Sequence, residues 1–136
     1  YYKPELPLNL TKYLLKFANS SIDVSDGLID DLSKMINRQN LSFHLFEKKI
    51  PVSKKLSNFI KNKKLNKIDL ISNGDDYQVL FTACINKARI IQNASKTTGI
   101  KITKIGKIVS GKNRSLIFDQ KGKQIQAKSK GYIHRF

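Results

Sequence analysis

Between Leu10 and Met35 the apolar period of the chain changes twice, and no other feature limits its possible folds as much. Leu10, Leu14 and Phe17 recur at helical spacing. Ser21 to Val24 reads as a short strand with Ile22 and Val24 on one face. Leu28, Leu32 and Met35 then return to helical spacing, within a helix predicted from Gly27 to Arg38. The alternation continues. Ser42 to Glu47 sets Phe43 and Leu45 against His44 and Phe46, as a strand does. Pro51 and Ser53 punctuate the chain before a short amphipathic helix carrying Leu56, Phe59 and Ile60. Tyr77 to Cys84 is an apolar strand expected at the centre of a sheet, and Lys87 to Thr97 is a helix stopped by Gly99. Ile102 to Val109 is a strand in which Gly106 marks a bulge or a close approach. Ser115 to Phe118 and Lys123 to Ala127 form a hairpin through Asp119-Gln120-Lys121-Gly122. The expected fold is α+β (mixed α/β), a mixed β-sheet with packed helices, in a single domain covering residues 1–136.

The first strand-to-helix junction, Ser20-Ser21-Ile22-Asp23-Val24-Ser25-Asp26-Gly27-Leu28-Ile29-Asp30-Asp31-Leu32, concentrates acid in a chain of formal net charge +16. A helix N-terminus offers unsatisfied N–H groups and a partial positive charge, which suit a capping side chain or a phosphate oxygen. Two carboxylates beside it can hold Mg²⁺, an ion typically bound by one or two carboxylates plus substrate phosphates. The plainer reading makes Ser25 or Asp26 the helix cap and Asp23 a solvated turn residue.

Two further segments bear on that choice. Asn73-Gly74-Asp75-Asp76-Tyr77-Gln78-Val79-Leu80-Phe81-Thr82 carries a Gly-led acidic pair into a strand, and the chain ends Gly131-Tyr132-Ile133-His134-Arg135-Phe136. In that order, with the opening Tyr2-Lys3-Pro4-Glu5-Leu6-Pro7, the set resembles the C-terminal domain of the thiamine-monophosphate kinase family, within the aminoimidazole ribonucleotide synthetase superfamily. The resemblance runs from Tyr2 to Phe136. It implies an enzyme, a thiamine-phosphate kinase that uses ATP and Mg²⁺ to convert thiamine phosphate to thiamine diphosphate. It also implies an N-terminal domain, absent from this chain, that supplies most metal carboxylates and the interface of a homodimer; the chain by itself is then expected to be inactive. By motif, Asp23 and Asp26 become Mg²⁺ ligands, Ser25 an ATP contact, and Asp75 and Tyr132 substrate contacts, with no catalytic acid or base assigned. A carboxylate and an aromatic face suit a cationic thiazolium ring. Without the resemblance, Asp75 reads as a turn residue and Tyr132 as a packed aromatic. The sequence departs from the family pattern at Asn73 (usually Gly), Asp75 (usually Glu), Gln78 (usually Glu), Ile133 and Arg135.

Composition bounds the alternatives. The chain has 136 residues, enough for one real core. Its single cysteine, Cys84, forbids an internal disulfide and fits a reducing, cytoplasmic compartment; its strand-like surroundings predict a buried packing thiol. No apolar stretch approaches the length that spans a bilayer, and no signal-peptide pattern opens the chain. The start at Tyr1 rather than Met suggests an excised fragment. The basic excess raises a nucleic-acid-binding module as an alternative, yet lysine far outnumbers arginine, the charges are scattered and aromatics are not interleaved with them. No specific nucleic-acid or membrane partner is therefore expected. A different ATP-using member of the same superfamily is the other alternative. His44 and His134 share no metal-ligand spacing with each other or with Cys84.

Overall fold

A computed structural model of the chain describes residues 8–37, 39–72 and 78–125. Helix α1 (Leu8–Phe17) runs directly into strand β1 (Ala18–Val24), and helix α2 (Leu28–Met35) follows a short turn. Strand β2 (Leu41–Phe46) leads through a 3₁₀ turn at Glu47–Lys49 to α3 (Lys54–Lys63) and α4 (Lys67–Ile71). Then come β3 (Gln78–Ala83), α5 (Ala88–Thr98) and strands β4 (Gly106–Ser110), β5 (Leu116–Phe118) and β6 (Gln124–Ile125). The strands form two sheets rather than one. β1 pairs antiparallel with β3, and a second, four-stranded sheet has the order β4-β2-β5-β6. The second is mixed, because β2 runs antiparallel to β4 but parallel to β5.

Two apolar cores match the two sheets. The larger joins α2 through Leu28, Ile29 and Leu32 to Phe43 and Leu45 of β2, Ile68 and Ile71 of α4, and Ile117 of β5. The smaller packs Leu10 and Phe17 of α1 on Ala94 of α5, with the Phe17 and Phe81 rings 5.2 Å apart. The strand expected from Ile102 begins only at Gly106, although the Ile105 carbonyl still accepts from the Phe46 N–H at 2.9 Å; Ile102 packs in the smaller core and Ile105 in the larger, so residues 102–105 link the two. Gly106 is a close approach: a Cβ there would stand 2.4 Å from the His44 carbonyl oxygen. Gly99 stops α5 in the left-handed conformation, at φ 72°.

Other expectations shift. β1 begins three residues earlier than its apolar pattern suggests, because hydroxyls substitute for apolar contacts: Ser20 and Thr82 share a cross-strand hydrogen bond of 2.8 Å. α2 ends at Met35, where Ile36 leaves helical geometry and turns its side chain into the core. β3 is not central; among the described residues it pairs with β1 alone. Cys84 is exposed, since it falls just past β3 at the entry to the 3₁₀ turn Ile85–Lys87.

Candidate metal and phosphate site at the acidic turn

The junction of β1 and α2 is built around a residue that periodicity assigns to neither strand nor cap. Asp31 lies in the second half-turn of α2, 1% exposed, and its Oδ2 accepts from the backbone N–H groups of both Ser25 and Asp26, each at 2.9 Å. Neither Ser25 nor Asp26 caps the helix. Gly27 holds the cap position without a side-chain bond, and Asp31 reaches back to tie the turn from inside. One signal for this was in the sequence: Asp31 sits three residues after Leu28, on the apolar face of the helix, where a carboxylate requires a polar partner.

Asp26, Asp30 and Asp31 each bring a carboxylate oxygen within 4.8 Å of the others. The Lys34 ammonium reaches all three, at 2.8 Å from Asp30 and 3.0 Å from Asp31, with a very short contact to Asp26. These contacts, led by Asp26 and then Asp30, hold the Lys34 amine above its ordinary value against the opposing effect of burial. For Asp31 burial pushes the carboxyl up, but the bonds from Lys34 and from the Asp26 and Ser25 N–H groups outweigh it and the net shift is downward. Asp31 spends Oδ2 on the backbone and is sealed from solvent, so it shapes the turn. Asp26 and Asp30, each about one-third exposed, keep oxygens for an outside cation. Hard carboxylate oxygens beside a helix start fit Mg²⁺, and the chain's own ammonium already rests where such a charge belongs.

Asp23 is exposed on the face of β1 turned from the core and lies outside this three-carboxylate group. Ser25 is half-buried at the turn. Asp75 and Tyr132 lie outside the described residues, as do Asn73, Gly74, the terminal motif from Gly131 to Phe136 and the opening Tyr2 to Pro7. Both flanks of the 73–77 segment, however, touch the acidic turn. Ser72, fully buried at the end of α4, backs onto Gly27 so closely that a Cβ on Gly27 would stand 2.3 Å from the Ser72 carbonyl oxygen. Gln78 pairs across the sheet with Val24. Ser72 and Gln78 thus meet the acidic turn at one end of the β1–β3 ladder.

No protein-family model matches the chain. Over 125 residues it is 37% identical to the thiamine-monophosphate kinase of Buchnera aphidicola subsp. Acyrthosiphon pisum, which covers 89% of this chain and 37% of that protein. The solved structure of AaThiL complexed with AMPPCP and TMP matches with a TM-score of 0.68 at 27% identity, over 94% of this chain and 37% of that one. A HypE–HypF complex matches with a TM-score of 0.65 over 86% of this chain and 39% of that one; at 13% identity it bears on the fold alone. The chain spans 27 to 38% of the length of such curated relatives. It therefore resembles the C-terminal domain of thiamine-monophosphate kinase along nearly its whole length, and it has the aminoimidazole ribonucleotide synthetase-related fold.

Proposed function

We propose that the chain is the C-terminal part of a thiamine-phosphate kinase, acting in the cytoplasm, and that its acidic turn serves the nucleotide and metal side of the reaction. The reaction moves the ATP γ-phosphoryl group to the phosphate of thiamine phosphate, forming thiamine diphosphate and releasing ADP. The observation that carries this reading is the Asp26–Asp30–Asp31 group at a turn whose Gly27 and Val24 touch Ser72 and Gln78, in a chain 37% identical to a thiamine-monophosphate kinase.

Phosphoryl transfer demands little covalent chemistry and much charge neutralisation and positioning. Mg²⁺, when bound, supplies that neutralisation between two mutually repelling phosphates. On this side Asp26 and Asp30 would hold it, joined by Asp23 through the family resemblance. Asp31 fixes the turn, Ser25 contacts the nucleotide, and Lys34, which now rests on Asp26, would compete with the metal for that carboxylate. Asp75 and Tyr132 bind thiamine phosphate. An N-terminal domain and a homodimeric partner complete the site, so the 136-residue chain alone forms no ADP. The test is a coupled assay on the natural full-length protein. Thiamine phosphate should elicit ADP formation that depends on Mg²⁺, whereas ADP formation elicited only by a different acceptor would refute the substrate assignment.

A further inference from the structure

Helix α4 backs the acidic turn from a distant part of the sequence. Ser72, its C-cap, is fully buried, and the Ser72 carbonyl oxygen stands where a Cβ on Gly27 would come within 2.3 Å of it. Gly27 starts α2, and its own carbonyl accepts the Asp31 N–H at 3.0 Å. Close packing leaves no slack at this contact, so a shift of α4 toward the turn must move Gly27 and the residues beside it.

What holds α4 in place is unevenly distributed along its five residues. Ile68 and Ile71 are buried in the larger core, but apolar burial is non-directional and does not fix a short helix along its axis. The side-chain bonds of Asn66 to the Ile68 N–H and of Ser72 to the Ile68 carbonyl are internal to the helix and its caps. Lys67 differs. It is 8% exposed, and its ammonium donates to the Glu47 carbonyl at 3.0 Å and the Ile50 carbonyl at 2.6 Å, which ties the first residue of α4 to the 3₁₀ turn after β2. Burial pushes the Lys67 amine down, and the negative charge of Glu47 opposes that effect. Holding an ammonium in the interior is costly, and well-packed apolar groups commonly serve stability as well as a buried ion pair does. The directional bonds give α4 a fixed position that apolar groups would not.

We propose that Lys67 is a positioning residue for the acidic turn, acting through α4 and the contact of Ser72 with Gly27 on the placement of Asp26 and Asp30. The consequence for a divalent cation rests on the reading of that turn as a metal site; the mechanical link from Lys67 to Gly27 does not.

The test is NMR on the full ¹⁵N-labelled chain, comparing the parent with a double variant carrying Glu47→Gln and Lys67→Met. Both charges are removed together, so that neither is left buried and unpaired. Ser53→Ala, which removes the cap of α3, controls for lost stability alone. Without metal, the double variant should shift the Ser25, Asp26 and Gly27 amides, which Ser53→Ala leaves in place. Its Mn²⁺ affinity, read from paramagnetic broadening of the Asp26 and Asp30 amides, should fall about threefold or more, while that of Ser53→Ala stays at the parental value. Unmoved amides in a folded double variant, parental Mn²⁺ affinity, or equal losses in both variants would overturn the proposal. A parent chain that binds no Mn²⁺ would remove the metal reading instead, and the metal-free amides then decide on Lys67 by themselves. Should the double variant fail to fold, Lys67→Gln, which keeps N–H donors beside Glu47 without the charge, is judged by the same outcomes.

Discussion

At the scale of single residues, Asp31, Gly27 and Lys34 explain why the acidic turn has its shape. The folded-state carboxyl of Asp31 is held below its ordinary value of 3.8. A lowered value contributes stability that is complete above the unfolded carboxyl's value and is lost as pH falls through the folded one. Denaturant unfolding of Asp31→Asn should therefore show about 1–3 kcal/mol less stability near neutral pH, and a shallower decline than the parent chain on acidification below about pH 4. An acid limb identical in both proteins would remove Asp31 from its role. Gly27, at φ 122° and against the Ser72 carbonyl, admits no side chain. Gly27→Ala should cost at least about 1–3 kcal/mol from backbone conformation alone, read as a fall in unfolding midpoint. Lys34→Met should lower metal-free stability slightly and raise Mn²⁺ affinity at the turn, measured by paramagnetic broadening of the Asp26 and Asp30 amides. Affinity unchanged or weakened would show that the ammonium does not compete with metal.

At the scale of elements, what was legible followed the strength of the period and of the punctuation. α1, β2, α5 and the β5–β6 hairpin lie close to where apolar spacing, Gly99 and the Asp119 to Gly122 turn put them. Ser53 was read as punctuation, and it caps α3 by accepting from the Leu56 N–H at 3.1 Å. Ser53→Ala should destabilise by about 0.5–2 kcal/mol without altering metal binding at the acidic turn, checked by thermal unfolding alongside a Mn²⁺ titration. The misses share a cause, which is that tertiary contacts supplied what local pattern lacked. α4 spans five residues, too few for a period, and exists because Asn66 caps it and the larger core buries Ile68 and Ile71. The early part of β1 is polar and held by its partner strand. In the site, Asp23, Ser25 and Asp26 stood out as chemistry-bearing types at a turn. Asp30, Asp31 and Lys34 did not, because their meeting depends on the helix folding back over the turn that precedes it.

At the scale of the whole molecule, one ladder joins a small α1–α5 core to a larger α2–sheet core, and the acidic turn sits where that ladder ends. The chain has a formal net charge of +16, yet its acidic turn gathers three carboxylates around one ammonium. Nucleic acid should bind weakly, without sequence preference, and be released steeply by added salt. Sequence-specific affinity surviving physiological salt would contradict that expectation. No helix among the described residues is long and apolar enough to cross a membrane. The account stands or falls on the acidic turn as a metal and phosphate site, and Asp26→Ala in the natural full-length protein tests it most directly. Thiamine-phosphate-dependent ADP formation at saturating Mg²⁺ and ATP should fall about 10²-fold or more, as when one group stabilising transition-state charge is removed, while the thermal midpoint moves only a few degrees. Undiminished turnover in a folded Asp26→Ala protein would contradict it.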